Sequence, residues 1–230
     1  MKTAGKLLAL LIAAALLATF CGCSLFRTNR TQNGTAAPAG TEARANPATA
    51  DDLTGLASLY GNLFRTLTKA QTAVAYNDPA VGTTLNAYAT LQKGGDNLTY
   101  RATVDRLNDA ESDRFLTSET LPAVSGTVEE IRANYQGLFV WDRVATGLIL
   151  ATPVFTGENL SSPAIRRADG NKTLTASVPD EKLDAFFGMT VTDVSGMEIA
   201  VSYTDSAVLS LTLTYTAGAA AVTVTVTFTY

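Results

Sequence analysis

Hydrophobic and polar positions change their rhythm several times along this chain, and each rhythm predicts a different element. An apolar run from Leu7 to Phe20, broken only by Thr19, follows the two lysines Lys2 and Lys6. It has the length of a signal-peptide core and is too short to span a bilayer. Residues 27–50 then hold no aliphatic side chain larger than Ala and no aromatic. Such a segment cannot bury enough apolar surface to order itself, so a tether is expected, with a coil span of about 25–30 Å. From Asp51 to Tyr76, the residues Leu56, Leu59, Leu63, Leu67, Ala70 and Val74 recur at three- and four-residue steps. That spacing predicts a helix with one buried stripe, with Asp51 and Asp52 at the positive end of its dipole. The sequence NDPAVG at 77–82 is expected to break it.

Beyond the break the period becomes two. Leu85, Ala87, Ala89 and Leu91 alternate with polar positions, and after Lys93-Gly94-Gly95-Asp96 so do Leu98, Tyr100, Ala102 and Val104. This predicts a hairpin with one buried face. A strand is expected at 114–119, and Thr127-Val128-Glu129-Glu130 reads as a capping box opening a short helix through Ile131 and Tyr135. Leu138, Trp141, Val144, Ala145 and Leu148 keep helical spacing, while 148–155 fits a strand equally well. A second hairpin is expected over 165–178 around Ala168-Asp169-Gly170-Asn171, then a short helix over 179–187 stopped by Gly188. Met197, Ile199, Val201 and Tyr203, then Leu209, Leu211, Leu213 and Tyr215, then Val222, Val224, Val226, Phe228 and Tyr230 all alternate with polar residues. The last third is thus expected to be an antiparallel meander with an apolar face and a Thr-rich solvated face.

An apolar sheet face needs a cover, and the available lids are the helix at 51–76, the segment near 127–150 and the helix at 179–187. The expected fold class is α+β: a curved antiparallel sheet of seven or more strands, a half-barrel, with a few helices over its concave apolar face. Both cysteines, Cys21 and Cys23, lie within the signal region. No disulfide within the domain is then expected, and the core alone must hold it together. Formal charge is −4 for the whole chain and −6 without the leader. This balance argues against a nucleic-acid surface or a polybasic membrane patch. Histidine is absent, which removes the commonest metal ligand and the usual general base near neutral pH.

In Phe20-Cys21-Gly22-Cys23-Ser24 a small residue precedes Cys23. This resembles the bacterial lipoprotein signal, with Phe20 departing from the Leu common there. The resemblance implies cleavage after Gly22 and diacylglycerol on the Cys23 sulfur. The expected organisation is a signal peptide at 1–22, a lipid-anchored tether at 23–50 and one domain at 51–230. The chain would sit on the extracytoplasmic face of the cell membrane. With a tether, an N-terminal helix, long alternating strands and a closing meander of SLTLTY and VTVTVTFTY, the chain resembles the lipoprotein-carrier superfamily of half-barrel, lipid-binding lipoproteins. That resemblance implies a binding protein for a hydrophobic small molecule or lipid. It carries no signature motif, so no family site residue transfers and the ligand-binding residues stay unassigned.

Catalytic chemistry finds few candidates. No triad can be built on His, no Ser-x-x-Lys occurs, and Gly94-Gly95 lacks the lysine of a phosphate loop. The pairs Glu129/Glu130 and Asp180/Glu181 could supply glycosidase carboxylates, but both sit at expected helix starts, where acids favour the dipole. Trp141, beside Asp142 and Arg143, reads as core before ligand platform. Asn29, Asn33, Asn97, Asn159 and Asn171 begin Asn-x-Ser/Thr triplets and read as turn composition. The expectation is therefore a protein that is not an enzyme, with no cofactor, no metal and no nucleic-acid partner, held to the membrane by its N-terminal lipid. The alternative is a structural or protein-interaction module of the cell envelope with a closed core.

Overall fold

The computed structural model describes residues 44–78, 83–108, 115–120, 122–127, 130–131 and 153–230. The fold is a sheet-dominated α+β arrangement. Its helices are α1 (Ala50–Gly61), α2 (Leu63–Thr66) and α3 (Leu183–Phe187), the last preceded by a 3-10 turn at Asp180–Lys182. Its strands are β1 (Asn46–Pro47), β2 (Lys69–Asp78), β3 (Thr83–Gly94), β4 (Asn97–Asn108), β5 (Phe115–Thr120), β6 (Val124–Gly126), β7 (Ser161–Ala168), β8 (Asn171–Val178), β9 (Val194–Tyr203), β10 (Val208–Ala217) and β11 (Ala220–Thr229). They form one open antiparallel sheet in the order β1-β7-β8-β9-β10-β11-β2-β3-β4-β5, with β6 also on β4.

Local sequence explains most of these elements. Thr49 caps α1: its hydroxyl accepts from the Asp52 amide at 3.2 Å, while the Asp52 carboxylate accepts from the Thr49 amide at 3.1 Å. This reciprocal box satisfies two amides that the first turn leaves without partners. Leu53, Leu56 and Tyr60 are its buried positions. In the β7–β8 hairpin Asp169 and Gly170 both have positive φ, 50° and 78°. Those angles suit a tight turn whose twist matches the strands, and Asp-Gly tolerates them. Gly188, with φ of 63°, ends α3 in the left-handed conformation as expected.

The expected hairpin at 83–108, the strand near 114–119, the hairpin at 165–178 and the C-terminal meander all appear. One expectation is corrected. The helix read over 51–76 ends by Thr66, and residues 69–78 are β2. Ala70 and Val74 satisfy the helical step, but with Thr72 and Tyr76 they also alternate at period two. The free edge of β11 takes up that second pattern from Lys69↔Thr229 to Asn77↔Ala221. A smaller correction concerns β10, where a bulge between Val208 and Ser210 turns Val208 inward and leaves Leu209 half-buried. The described fold also starts ahead of the expected boundary at 51: Asn46 and Pro47 pair with Ile165 and Ala164.

The core lies on one side of the sheet. On β11, Val222, Val224, Val226 and Phe228 are buried while Thr227 and Thr229 are exposed, and β8, β9 and β10 alternate likewise. Leu213→Ala at a fully buried position should cost about 2–5 kcal/mol of unfolding free energy. Thr214→Ala, next to it on the exposed face, should change stability by less than about 0.5 kcal/mol. Urea denaturation of the two variants checks the direction each face points.

Candidate functional site

Two regions of the core-facing side of the sheet differ in how they are filled. Over β8 to β11 an aromatic layer closes the space beneath α1. The Tyr60 ring lies 5.1 Å from that of Phe155 and 6.2 Å, edge-on, from that of Phe228. Phe155 meets Phe186 edge-on at 5.5 Å, and Phe186 meets Phe187 at 4.9 Å. The Val154 amide donates to the Phe186 carbonyl at 2.9 Å, fixing the extended segment at 153–156 against α3.

Over β2 and β3 the same side carries Ala70, Thr72 and Val74 on β2, all buried, and Ala89 and the buried Leu91 on β3. Tyr76 and Ala89 are only half-buried there, although their rows continue the core-facing pattern. Thr72 pairs with Val226 on one side and Ala89 on the other. Its hydroxyl is buried, with the residue 4% exposed, and has no hydrogen-bond partner. The Tyr60 hydroxyl, under the aromatic layer, is also buried without a partner. Its burial, with the nearby Tyr230, pushes its pKa far above the usual phenol range. A buried polar group without a partner costs about 1–3 kcal/mol, so these two positions are the least satisfied in the described core.

Charged groups tie α1 to the strands. Arg167 on β7 donates to Asp52 at 2.6 Å, and Lys172 to Asp205 at 2.6 Å, with the Lys172 ammonium 5.9 Å from the Tyr203 ring centre. Burial acts to raise the Asp52 pKa, but its hydrogen bonds from Thr49 and the Arg167 guanidinium outweigh burial and hold the carboxyl below its ordinary 3.8.

Several residues singled out from sequence lie outside the described residues: Cys23, Glu129, Trp141, Asp142, Arg143, Asn29 and Asn33. Glu130 completes the expected capping box, its carboxylate accepting from the Thr127 amide at 2.8 Å and its amide donating to the Thr127 hydroxyl at 3.2 Å. Asp180 opens the 3-10 turn and accepts from the Gly196 amide at 2.9 Å, while Glu181 is exposed beside it. Glu130 and Asp180 therefore each accept from a backbone amide. Asn97 and Asn171 begin strands at exposed turns. Asn159 is 8% exposed and donates to the Val154 carbonyl at 3.3 Å, a structural role in the turn before β7. The small side chains that β2 and β3 set side by side were hidden in sequence because β2 read as helix; the alternation of Ala70, Thr72, Val74 and Tyr76 was the signal that could have found them.

No protein-family model matches the chain, and no curated protein is similar to it. Among solved structures, kievitone hydratase from Nectria haematococca matches with a TM-score of 0.23 and 6% identity. The match covers 74% of this chain and 49% of that one, so the chain spans about half the hydratase's length. The dehydratase domain from the terminal module of the rifamycin polyketide synthase matches with a TM-score of 0.22 and 11% identity, over 81% of this chain and 83% of that one. An N-terminal dehydratase from the difficidin assembly line gives 0.14 and 11%, over 83% and 87%. Likeness at this level carries no inference about fold or reaction.

Because the Asp52 pKa is lower in the folded than in the unfolded chain, its stabilising contribution is complete above the unfolded value and is lost as pH falls through the folded one. Asp52→Asn should therefore be less stable than the parent at pH 7, with the gap narrowing below about pH 4 and closing in stronger acid. Thermal unfolding of both chains across that range reads the gap directly.

Proposed function

We propose that this chain is an extracytoplasmic lipoprotein, anchored by diacylglycerol on Cys23, whose domain binds a hydrophobic small molecule or lipid and performs no catalysis. In this reading the sheet curves as a half-barrel, and the ligand lies on its concave side over β2 and β3. The observation that carries the reading is the change of filling along one sheet face. Large side chains and an aromatic layer close the part from β8 to β11, whereas Ala70, Thr72 and Ala89 present small side chains on the neighbouring part, with Ala89 and Tyr76 half-buried. An elongated apolar ligand would gain about 25 cal/mol for each Å² of apolar surface it covers there. The unpartnered Thr72 hydroxyl would offer a hydrogen bond to a ligand oxygen.

A second reading, a structural or protein-interaction module with a closed core, draws support from the packed rings of Tyr60, Phe155, Phe186 and Phe228. The two readings separate on Ala89→Phe. If the space holds a ligand, native mass spectrometry and solvent extraction should find a co-purifying apolar molecule in the parent chain and little in the variant, with folding intact. If the core is closed, the parent carries nothing and the added ring overpacks it, lowering stability by about 1–3 kcal/mol. The anchor has its own check: Cys23→Ala should shift the protein from the membrane fraction to the soluble extracytoplasmic fraction and remove the lipid mass, and unchanged fractionation and mass would refute acylation at Cys23.

A further inference from the structure

Tyr88 is the most exposed large hydrophobic side chain among the described residues, at 48%, and strand alternation places it on the face of the sheet opposite the core. It pairs with Ala73 on β2 and with Thr103 on β4. Ala73 and Ala75 are both exposed and carry only a methyl group, so the surface beside the ring is low. Beyond them, on β11, Thr225 pairs with Ala73 and Thr223 with Ala75. One step along the same face Thr90 pairs with Gln71 and Arg101, and a step further Gln92 pairs with Thr99. Thr90, Gln92, Thr99 and Arg101 line a groove of about 280 Å³ there. Lys93 also lines it, but its ammonium turns to the core side, where the carbonyls of Phe64 and Arg65 accept at 3.4 and 3.2 Å.

We propose that this face binds a neutral glycan, with one pyranose ring against Tyr88 and the following sugars along the groove. A pyranose has an apolar C–H face and a rim of hydroxyls, so it asks for an aromatic ring in water beside groups that both donate and accept. Tyr88 supplies the ring, and its apolar body with a polar tip suits a half-wet contact. The low surface at Ala73 and Ala75 leaves room for a sugar beside it. Hydroxyls of Thr90, Thr99 and Thr103 donate or accept, the amides of Gln71 and Gln92 do both, and Arg101 donates. Thr103 and Thr99 lie 3.3 and 3.0 Å, hydroxyl to hydroxyl, from Thr120 and Ser125, which widens the polar floor. The groove lining has no carboxylate and only the Arg101 charge on this face, which favours a neutral ligand over an ion. From Tyr88 to Gln92 the strand rises about 13 Å at about 3.3 Å per residue, the reach of a short oligosaccharide. The inference rests on the extracytoplasmic position proposed above, where envelope glycans are met, and not on binding of a hydrophobic ligand at the core face.

The test is an NMR titration of the full chain in detergent with a chitin oligosaccharide and with a maltose oligosaccharide, against glycerol as a polyol without a ring. Saturable shifts of the Tyr88, Thr90, Thr99 and Arg101 amides are expected with at least one oligosaccharide and not with glycerol. Tyr88→Ala should weaken binding by roughly tenfold or more, while Tyr88→Phe, which keeps the ring, should bind nearly as the parent does. Arg101→Gln gives an independent, smaller loss. Tyr88 is exposed, so its variants should unfold in urea at the parent's midpoint. Preference for the chitin oligosaccharide would assign the site to amino-sugar glycans, and preference for the maltose oligosaccharide to glucans. Absence of saturable shifts with both, or equal affinity in Tyr88→Ala, overturns the proposal while leaving the reading of the core face and the anchor to their own tests.

Discussion

The structure depends on one apolar core, in which Leu53, Leu56 and Tyr60 of α1 and the rings of Phe155, Phe186 and Phe187 join the buried side chains of β8 to β11. The sheet presents an almost unbroken field of Val, Leu and Ile on that side, and the exposed alternative would be a large apolar surface in water. Thr49 and Asp52 fix where α1 begins, and the Asp52–Arg167 pair fixes its N-terminal end against β7. Polar contacts thus set the position of the lid, and apolar burial supplies most of the stabilisation.

The same layer explains the connectivity. An α1 that ends at Gly61 delivers the chain through α2 to β2, which lies against β11. Without β2, the β11 edge would expose a full row of unpaired amides and carbonyls beside one of the most strongly β-forming sequences in the chain. At the opposite border Asn46 and Pro47 shield part of β7. Proline has no amide to donate, so this short strand is a poor template for further pairing.

The two faces of the sheet divide the molecule's chemistry. On the core side, size varies: bulky side chains fill one part, and Ala70, Thr72 and Ala89 bring small ones to another. On the outer side, polar groups face solvent: the Thr rows of β10 and β11 are neutral, and Lys69 and Arg101 lie at the β2–β4 end. A strand's period of two makes both possible at once, since neighbouring residues such as Lys69 and Ala70 serve opposite faces.

Alternation strong enough to be read without neighbours fixed the hairpins at 83–108 and 165–178 and the closing meander, because in those segments only one period fits and most of the turns carry Gly at positive φ. The capping box at Thr127 and Glu130 and the stop at Gly188 were legible for the same reason: the chemistry is local. Residues 69–76 were not, because small and apolar positions there satisfy both a three-to-four step and a two step. The waiting edge of β11, contributed from the far end of the chain, chose between them. The bulge that turns Val208 inward in place of Leu209 was likewise settled by pairing with β9. Local sequence anticipated the role of Glu130 in its capping box, whereas the bond from the Gly196 amide to Asp180 joins residues sixteen apart and needed the tertiary structure. The juxtaposition of Val226, Thr72 and Ala89 across β11, β2 and β3 came only with the tertiary structure, since it is built from residues on different strands and exists only once register is set.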